Sequence, residues 1–173
     1  MHVSTKIRER GLLGMKITIY CIGKLKESYW LDAEKEYAKR LKAYVDLEIV
    51  ELPDLPTPAS ASEVEEEEIR KKECGRVLNK LKQSDYLIAL DLGKKEYDSP
   101  AFASLLEKDL ERGGASIAFV IGGSLGLSKE IKMRANESVS FSPMTFPHQL
   151  ARIMLLEQLY RSFRILRHEP YHK

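Results

Sequence analysis

Ser116-Ile117-Ala118-Phe119-Val120-Ile121-Gly122-Gly123-Ser124-Leu125-Gly126 is the stretch on which the fold turns. Six nearly all-apolar residues run straight into a turn with three glycines. A strand that is apolar on both faces belongs inside a parallel sheet covered by helices on either side. The glycines then mark the carboxyl end of that strand, where open α/β sheets hold their ligands.

Working outward from this strand, apolar and polar patterns alternate in a βα rhythm. Met15 to Ile22 reads as a first strand and residues near 27–43 as a helix. Along that helix Trp30, Ala33, Tyr37, Leu41 and Tyr44 recur at helical spacing. Val45 to Leu52 alternates as a strand. Pro53 to Ser62, with three prolines, is the one long loop. Ser62 and Glu65 stand at capping-box spacing and open an acidic helix running to about Leu81. Tyr86 to Leu90 is a buried strand, and Ser99-Pro100 starts a helix that stops at Gly113-Gly114. A short helix near 128–135, a strand near 138–141 and a long helix from Pro147 to about Arg167 complete the chain. The pattern predicts one α/β domain with a mainly parallel five-stranded sheet and helices on both faces.

The 173 residues fit one domain able to bury a core without disulfide or metal staples. No apolar run approaches the roughly 20 residues of a membrane helix, and no signal-peptide hydrophobic region follows the basic N-terminus. Cys21 and Cys74 read as two reduced thiols of a cytoplasmic protein. Residues 1–14 look foreign to the domain, with Met15 as its working start. The net charge of +2 hides an uneven distribution. Glu51 to Glu68 holds seven acidic residues and no Lys or Arg, whereas Pro147 to Lys173 holds four Arg and one Lys against two Glu. Such polarity would orient an anionic partner; a solvated helix surface is the plainer account of the acidic run.

Three segments carry the functional reading. The glycine turn is neither a Walker A motif, lacking Gly-Lys-Ser/Thr, nor a dinucleotide fingerprint, lacking the spacing. A tight strand-to-helix turn would explain one glycine more easily than three. Phe141-Ser142-Pro143-Met144-Thr145-Phe146-Pro147-His148 forces extended backbone before a proline in the first helical turn, and its apolar side chains offer walls around backbone groups. A core-packed loop is the competing account. The chain closes on Glu169-Pro170-Tyr171-His172-Lys173. Behind it the long helix is apolar around much of its circumference, which suggests burial against the sheet and a second subunit. Arg161, Arg164 and His168 share one stripe, placed either for RNA phosphates or for solubility.

With these segments in view, the sequence resembles the RlmH family of ribosomal RNA methyltransferases, small members of the SPOUT superfamily. The likeness runs from Met15 to Lys173. It rests on Lys16-Ile17-Thr18-Ile19 with Gly23-Lys24-Leu25-Lys26, on Phe119 to Ser124 with Gly126-Leu127, and on Ser140-Phe141-Ser142. It continues through Met144 to Gln149 and Glu157 to Arg161, and ends on Tyr171-His172-Lys173. The resemblance implies a homodimer with a C-terminal trefoil knot. It also implies S-adenosylmethionine-dependent methylation of N3 of a pseudouridine in 23S ribosomal RNA, at position 1915. By position, the cofactor site it implies comprises Leu90, Gly122, Phe141, Ser142, Pro143, Met144, Thr145 and Phe146. His148, Tyr171 and His172 become candidates for proton handling or base positioning, and Arg152 for stabilising negative charge. No step calls for a metal. The rival from another class is a non-catalytic factor that binds ribosomal RNA through its Arg-rich helix and tail.

Overall fold

Alternation in three strands assigns every inward side chain to one of two cores. In the computed structural model, which describes residues 14–173, Ile17, Ile19 and Cys21 of β1 (Lys16–Ile22) point to one face and Tyr20 and Ile22 to the other. Ile117, Phe119 and Ile121 of β4 (Ser116–Ile121) repeat the division against Ala118 and Val120. In β3 (Tyr86–Leu90), Ile88 opposes Leu87 and Ala89. Period-two burial on both faces is what a sheet covered by helices on each side requires.

The sheet order is β2-β1-β4-β3-β5, with β2 at Asp46–Leu52 and β5 at Glu137–Val139. Every pairing is parallel, so "mainly parallel" becomes wholly parallel, and the most apolar strand is indeed central. Helices α1 (Ser28–Leu41), α3 (Ser99–Arg112) and α5 (His148–Leu166) pack together on the first face. Helices α2 (Glu63–Leu78) and α4 (Lys129–Arg134) cover the other. Element ends fall within about three residues of the sequence reading, as caps and turns dictate. The Ser62–Glu65 capping box forms with both of its hydrogen bonds. Asp98 caps α3 by accepting from the Ala101 N–H at 2.8 Å. Residues 1–13 of the expected extension lie outside the described part.

Parallel strands place all five carboxyl ends on one edge. The loops after β3, β4 and β5 therefore converge there, with the first turn of α5 beside them. No helix among the described residues is long and apolar enough to cross a membrane.

Candidate functional site

The three convergent loops enclose a pocket of about 900 Å³, within the range of small-molecule sites. Leu90 to Leu92 form one wall, Ile121 to Leu127 a second, and Val139 to Ser142 with Met144 to His148 a third. Of the cofactor residues expected from sequence, Leu90, Gly122, Phe141, Ser142, Met144, Thr145 and Phe146 all line this space. Pro143 does not: it is exposed in the same loop and turned off the lining.

The glycine turn is explained by its own closure. Gly126 has φ +81° and its N–H donates to the Gly123 carbonyl at 3.0 Å. A Cβ on Gly122 would lie 2.7 Å from the Gly126 carbonyl carbon, so the strand end and the turn can approach only without a side chain. From outside, Arg70 reaches over and donates to the Leu125 carbonyl at 3.4 Å.

The loop after β5 has a different character. Ser140 Oγ donates to the Ser142 carbonyl at 3.0 Å, and the Met144 N–H donates to Ser142 Oγ at 2.9 Å. These two bonds hold the loop open rather than closing it into a helix or strand. The backbone N–H groups of Thr145 and Phe146 find no acceptor among the described residues, although both residues line the pocket. Unpaired amides beside the side chains of Phe141, Met144 and Phe146 suit a flat heteroaromatic ligand with edge acceptors.

The rim is charged. Asp91, directly after Leu90, is ion-paired to Lys132 at 3.0 Å, and its N–H donates to the Val139 carbonyl. Glu67, Arg70 and Lys129 also reach the lining. None of these was singled out from sequence. For Asp91, its place one residue past a buried strand was the available signal.

His148, the first residue of α5, lies on the lining and against the chain after β1. A Cβ on Gly23 would lie 3.0 Å from its Nε2, and Gly23 itself has φ +98°. Burial holds the His148 imidazole below its ordinary value. The cations of Arg152 and Lys26 push the same way, and Asp54 opposes them. A helix N-terminus also disfavours the imidazolium. The imidazole is thereby biased toward its neutral form.

Arg152 stands elsewhere. It is 1% exposed and its guanidinium donates at 3.0 Å to each of Glu34, Glu51 and the Gly23 carbonyl. It does not line the pocket; it ties α1, β2 and the post-β1 loop to α5 beneath His148. Tyr171 and His172 are also absent from that lining. The Tyr171 hydroxyl donates to Glu157 at 3.2 Å, with the Arg161 guanidinium over its ring at 4.7 Å. His172 Nδ1 lies 3.3 Å from Arg161 and borders a second groove of about 790 Å³ between α3, α5 and the tail. Val139, Ser140 and Phe141 belong to both concavities. The Arg stripe is engaged within the chain: Arg161 pairs with Glu157 at 2.7 Å and Arg164 with Glu169 at 2.6 Å. The first pair follows from i,i+4 spacing on α5, whereas the second depends on the tail folding back. Cys21 is no alternative nucleophile, because burial pushes its thiol up to about 12.

A pocket built from loops at one sheet edge, with unpaired amides and a neutral histidine, is what known relatives can be asked about. The sequence model of the family described as "Predicted SPOUT methyltransferase" matches residues 15–172. The ribosomal RNA large subunit methyltransferase H of Clostridium beijerinckii is 55% identical over 159 residues, covering 92% of this chain and 100% of that protein. Proteins of the same name from Clostridium perfringens and from Bacillus thuringiensis subsp. konkukian are 53% and 52% identical over the same shares. A family match over nearly the whole described domain, joined to relatives matched along their full length, establishes that this chain belongs to the SPOUT methyltransferases.

Proposed function

We propose that this protein methylates N3 of a pseudouridine in large-subunit ribosomal RNA, position 1915 of the 23S molecule, using S-adenosylmethionine. The observation that carries the proposal is the open loop 141–147, whose unpaired Thr145 and Phe146 amides lie in an apolar-walled pocket beside His148. The relatives' names support large-subunit RNA as the substrate class.

The residues fit the cofactor. Leu90, Phe141, Met144 and Phe146 would enclose an adenine ring whose edge accepts from the Thr145 and Phe146 amides. At the rim Asp91 pairs with Lys132 and Glu67 with Arg70, so the apolar walls and the free amides carry the fit. The bound sulfonium supplies an already activated methyl group, so the protein's part is alignment and proton removal.

His148 is the proton acceptor in this reading. The neutral imidazole would take the N3–H proton of the imide, freeing the N3 electron pair for the methyl group that the bound sulfonium would supply. An imidazole held below its ordinary value is available as a base at neutral pH. Arg152 acts from beneath by fixing, through its carbonyl, the Gly23 residue against which His148 packs. Tyr171 and His172 belong to the substrate side of a composite site. In a homodimer the tail of one copy would stand at the pocket of the other, on the groove that shares Phe141 with it.

The decisive experiment joins calorimetry with S-adenosylmethionine to mass spectrometry of ribosomal RNA from cells lacking the gene. Binding in the low-micromolar range or tighter, and one missing methyl on a pseudouridine restored by the purified protein, are expected. Intact ribosome binding without cofactor heat would make the protein a non-catalytic factor. His172→Ala should reduce methylation far more than cofactor binding; equal losses would remove it from the substrate side.

A further inference from the structure

With Arg161 and Arg164 committed to Glu157 and Glu169, the methyltransferase reading needs another surface to hold RNA beside His148. The chain between β1 and α1 has the right chemistry. Leu25 is buried, and its N–H donates to Glu51 at 3.3 Å. On either side of that anchor Lys24 and Lys26 both stand out to solvent. Both are exposed and neither forms an ion pair among the described residues. The segment starts at Gly23, in contact with His148, and Lys26 is close enough for its charge to be felt by that imidazole.

An aromatic pair follows at once. Tyr29 and Trp30 open α1 with ring centroids 5.1 Å apart and planes inclined by 59°. Trp30 is half-buried and fixes the pair, whereas Tyr29 is 62% exposed, the largest exposed aromatic surface among the described residues. The first turn of α1 adds no acidic side chain, and only Glu27 interrupts the positive run. Two unpaired lysines and an exposed ring in one short segment, starting at the glycine that touches His148, are the combination by which proteins hold an unpaired nucleotide strand. The cations follow its phosphates while a base stacks on the ring.

We infer that Lys24, Lys26 and Tyr29 form a docking surface for a single-stranded RNA segment flanking the target nucleotide. The inference rests on the RNA-directed reading above and names the part of the chain that grips the substrate. A protein partner would use the same exposed ring by burying it, without needing the lysines, so the two occupants differ in salt dependence.

The test uses the full chain, intact 70S ribosomes and a fluorescein-labelled single-stranded RNA decamer. Lys24→Glu with Lys26→Glu should weaken decamer binding at least tenfold and lower the salt slope by about 1.4, the value for two phosphate contacts on a single strand. Tyr29→Ala should weaken it at least about fivefold, while Tyr29→Phe retains most of the affinity, because the ring and not the hydroxyl does the stacking. Ribosome binding should fall in the same order. Heat with S-adenosylmethionine and the sedimentation mass should be unchanged in all three. RNA binding unaffected by the lysine reversal, or Tyr29→Phe as weak as Tyr29→Ala, would overturn the inference. So would a changed mass in Tyr29→Ala, which would make the surface an interface between copies. If the unsubstituted protein binds no S-adenosylmethionine yet these variants lose RNA as expected, the methyltransferase reading fails and the docking surface stands.

Discussion

Replacing Arg152 by methionine tests whether this residue is part of the reaction or part of the frame. The side chain is 1% exposed and makes three 3.0 Å hydrogen bonds, two of them to carboxylates. Removing one side of a buried charge cluster costs about 3–5 kcal/mol. Glu34 and Glu51 are 20% and 35% exposed and can rehydrate, so the lower end, about 3 kcal/mol, applies. For a domain of this size that is a drop of about 6–12 °C in Tm. Arg152→Lys keeps the charge but cannot span both carboxylates and the Gly23 carbonyl, so it should lose less. The second readout is His148: without the guanidinium its imidazole should titrate closer to the ordinary histidine value, burial still holding it somewhat below. Urea unfolding and NMR titration of the His148 ring in both variants measure these effects. A methionine variant within 1 kcal/mol of the parent, or an unmoved His148, would refute the bracing role.

Gly122→Ala places a Cβ 2.7 Å from backbone that has nowhere to move, so it should displace the turn, costing about 1–3 kcal/mol and at least tenfold in cofactor affinity. Calorimetry at full affinity would show that the turn tolerates the methyl. Asp109, fully buried on α3, accepts from the Tyr86 hydroxyl at 3.0 Å, and burial pushes its carboxyl up from 3.8 to about 6. Between those values the folded state binds more protons than the unfolded, so stability gains as pH falls from about 6 toward 4 and the penalty is complete above 6. Asp109→Asn should therefore be more stable than the parent by about 1–3 kcal/mol at pH 8, with the advantage fading by pH 4. An equal difference at both values would disprove the charge penalty. Deleting residues 1–14 should leave unfolding and cofactor heat unchanged; a substantial loss in either would make that segment part of the domain.

The sheet was legible because its pattern is redundant. Ile117, Phe119 and Ile121 face one helical layer and Ala118 and Val120 the other, which buries five consecutive apolar residues. The pocket walls were legible by the same route, since glycines and prolines at strand ends force loops. What escaped was every partnership between distant charges. Arg152 looked like a catalytic cation because Glu34 and Glu51 lie 118 and 101 residues away and reach it only through the sheet order. For Arg161 and Arg164 the sequence left phosphates and solubility open: Glu157 stands one turn before Arg161 on the same helix, and Glu169 reaches Arg164 only where the tail folds back. Neutralisation is a property of three-dimensional neighbours, and period and composition carry no record of it.

The strand order β2-β1-β4-β3-β5 has a consequence for how the chain is made. On a growing chain β1 and β3 emerge early, but neither can reach the other: the strand that bridges them begins at residue 116. Until then a β1–β2 ribbon and a lone β3 present open edges, the state in which nascent chains associate wrongly. Insertion of β4 between two waiting strands is then a long-range, slow event. The centre of the sheet, and with it the whole pocket, therefore comes into being only after the residues from 116 onward have been made.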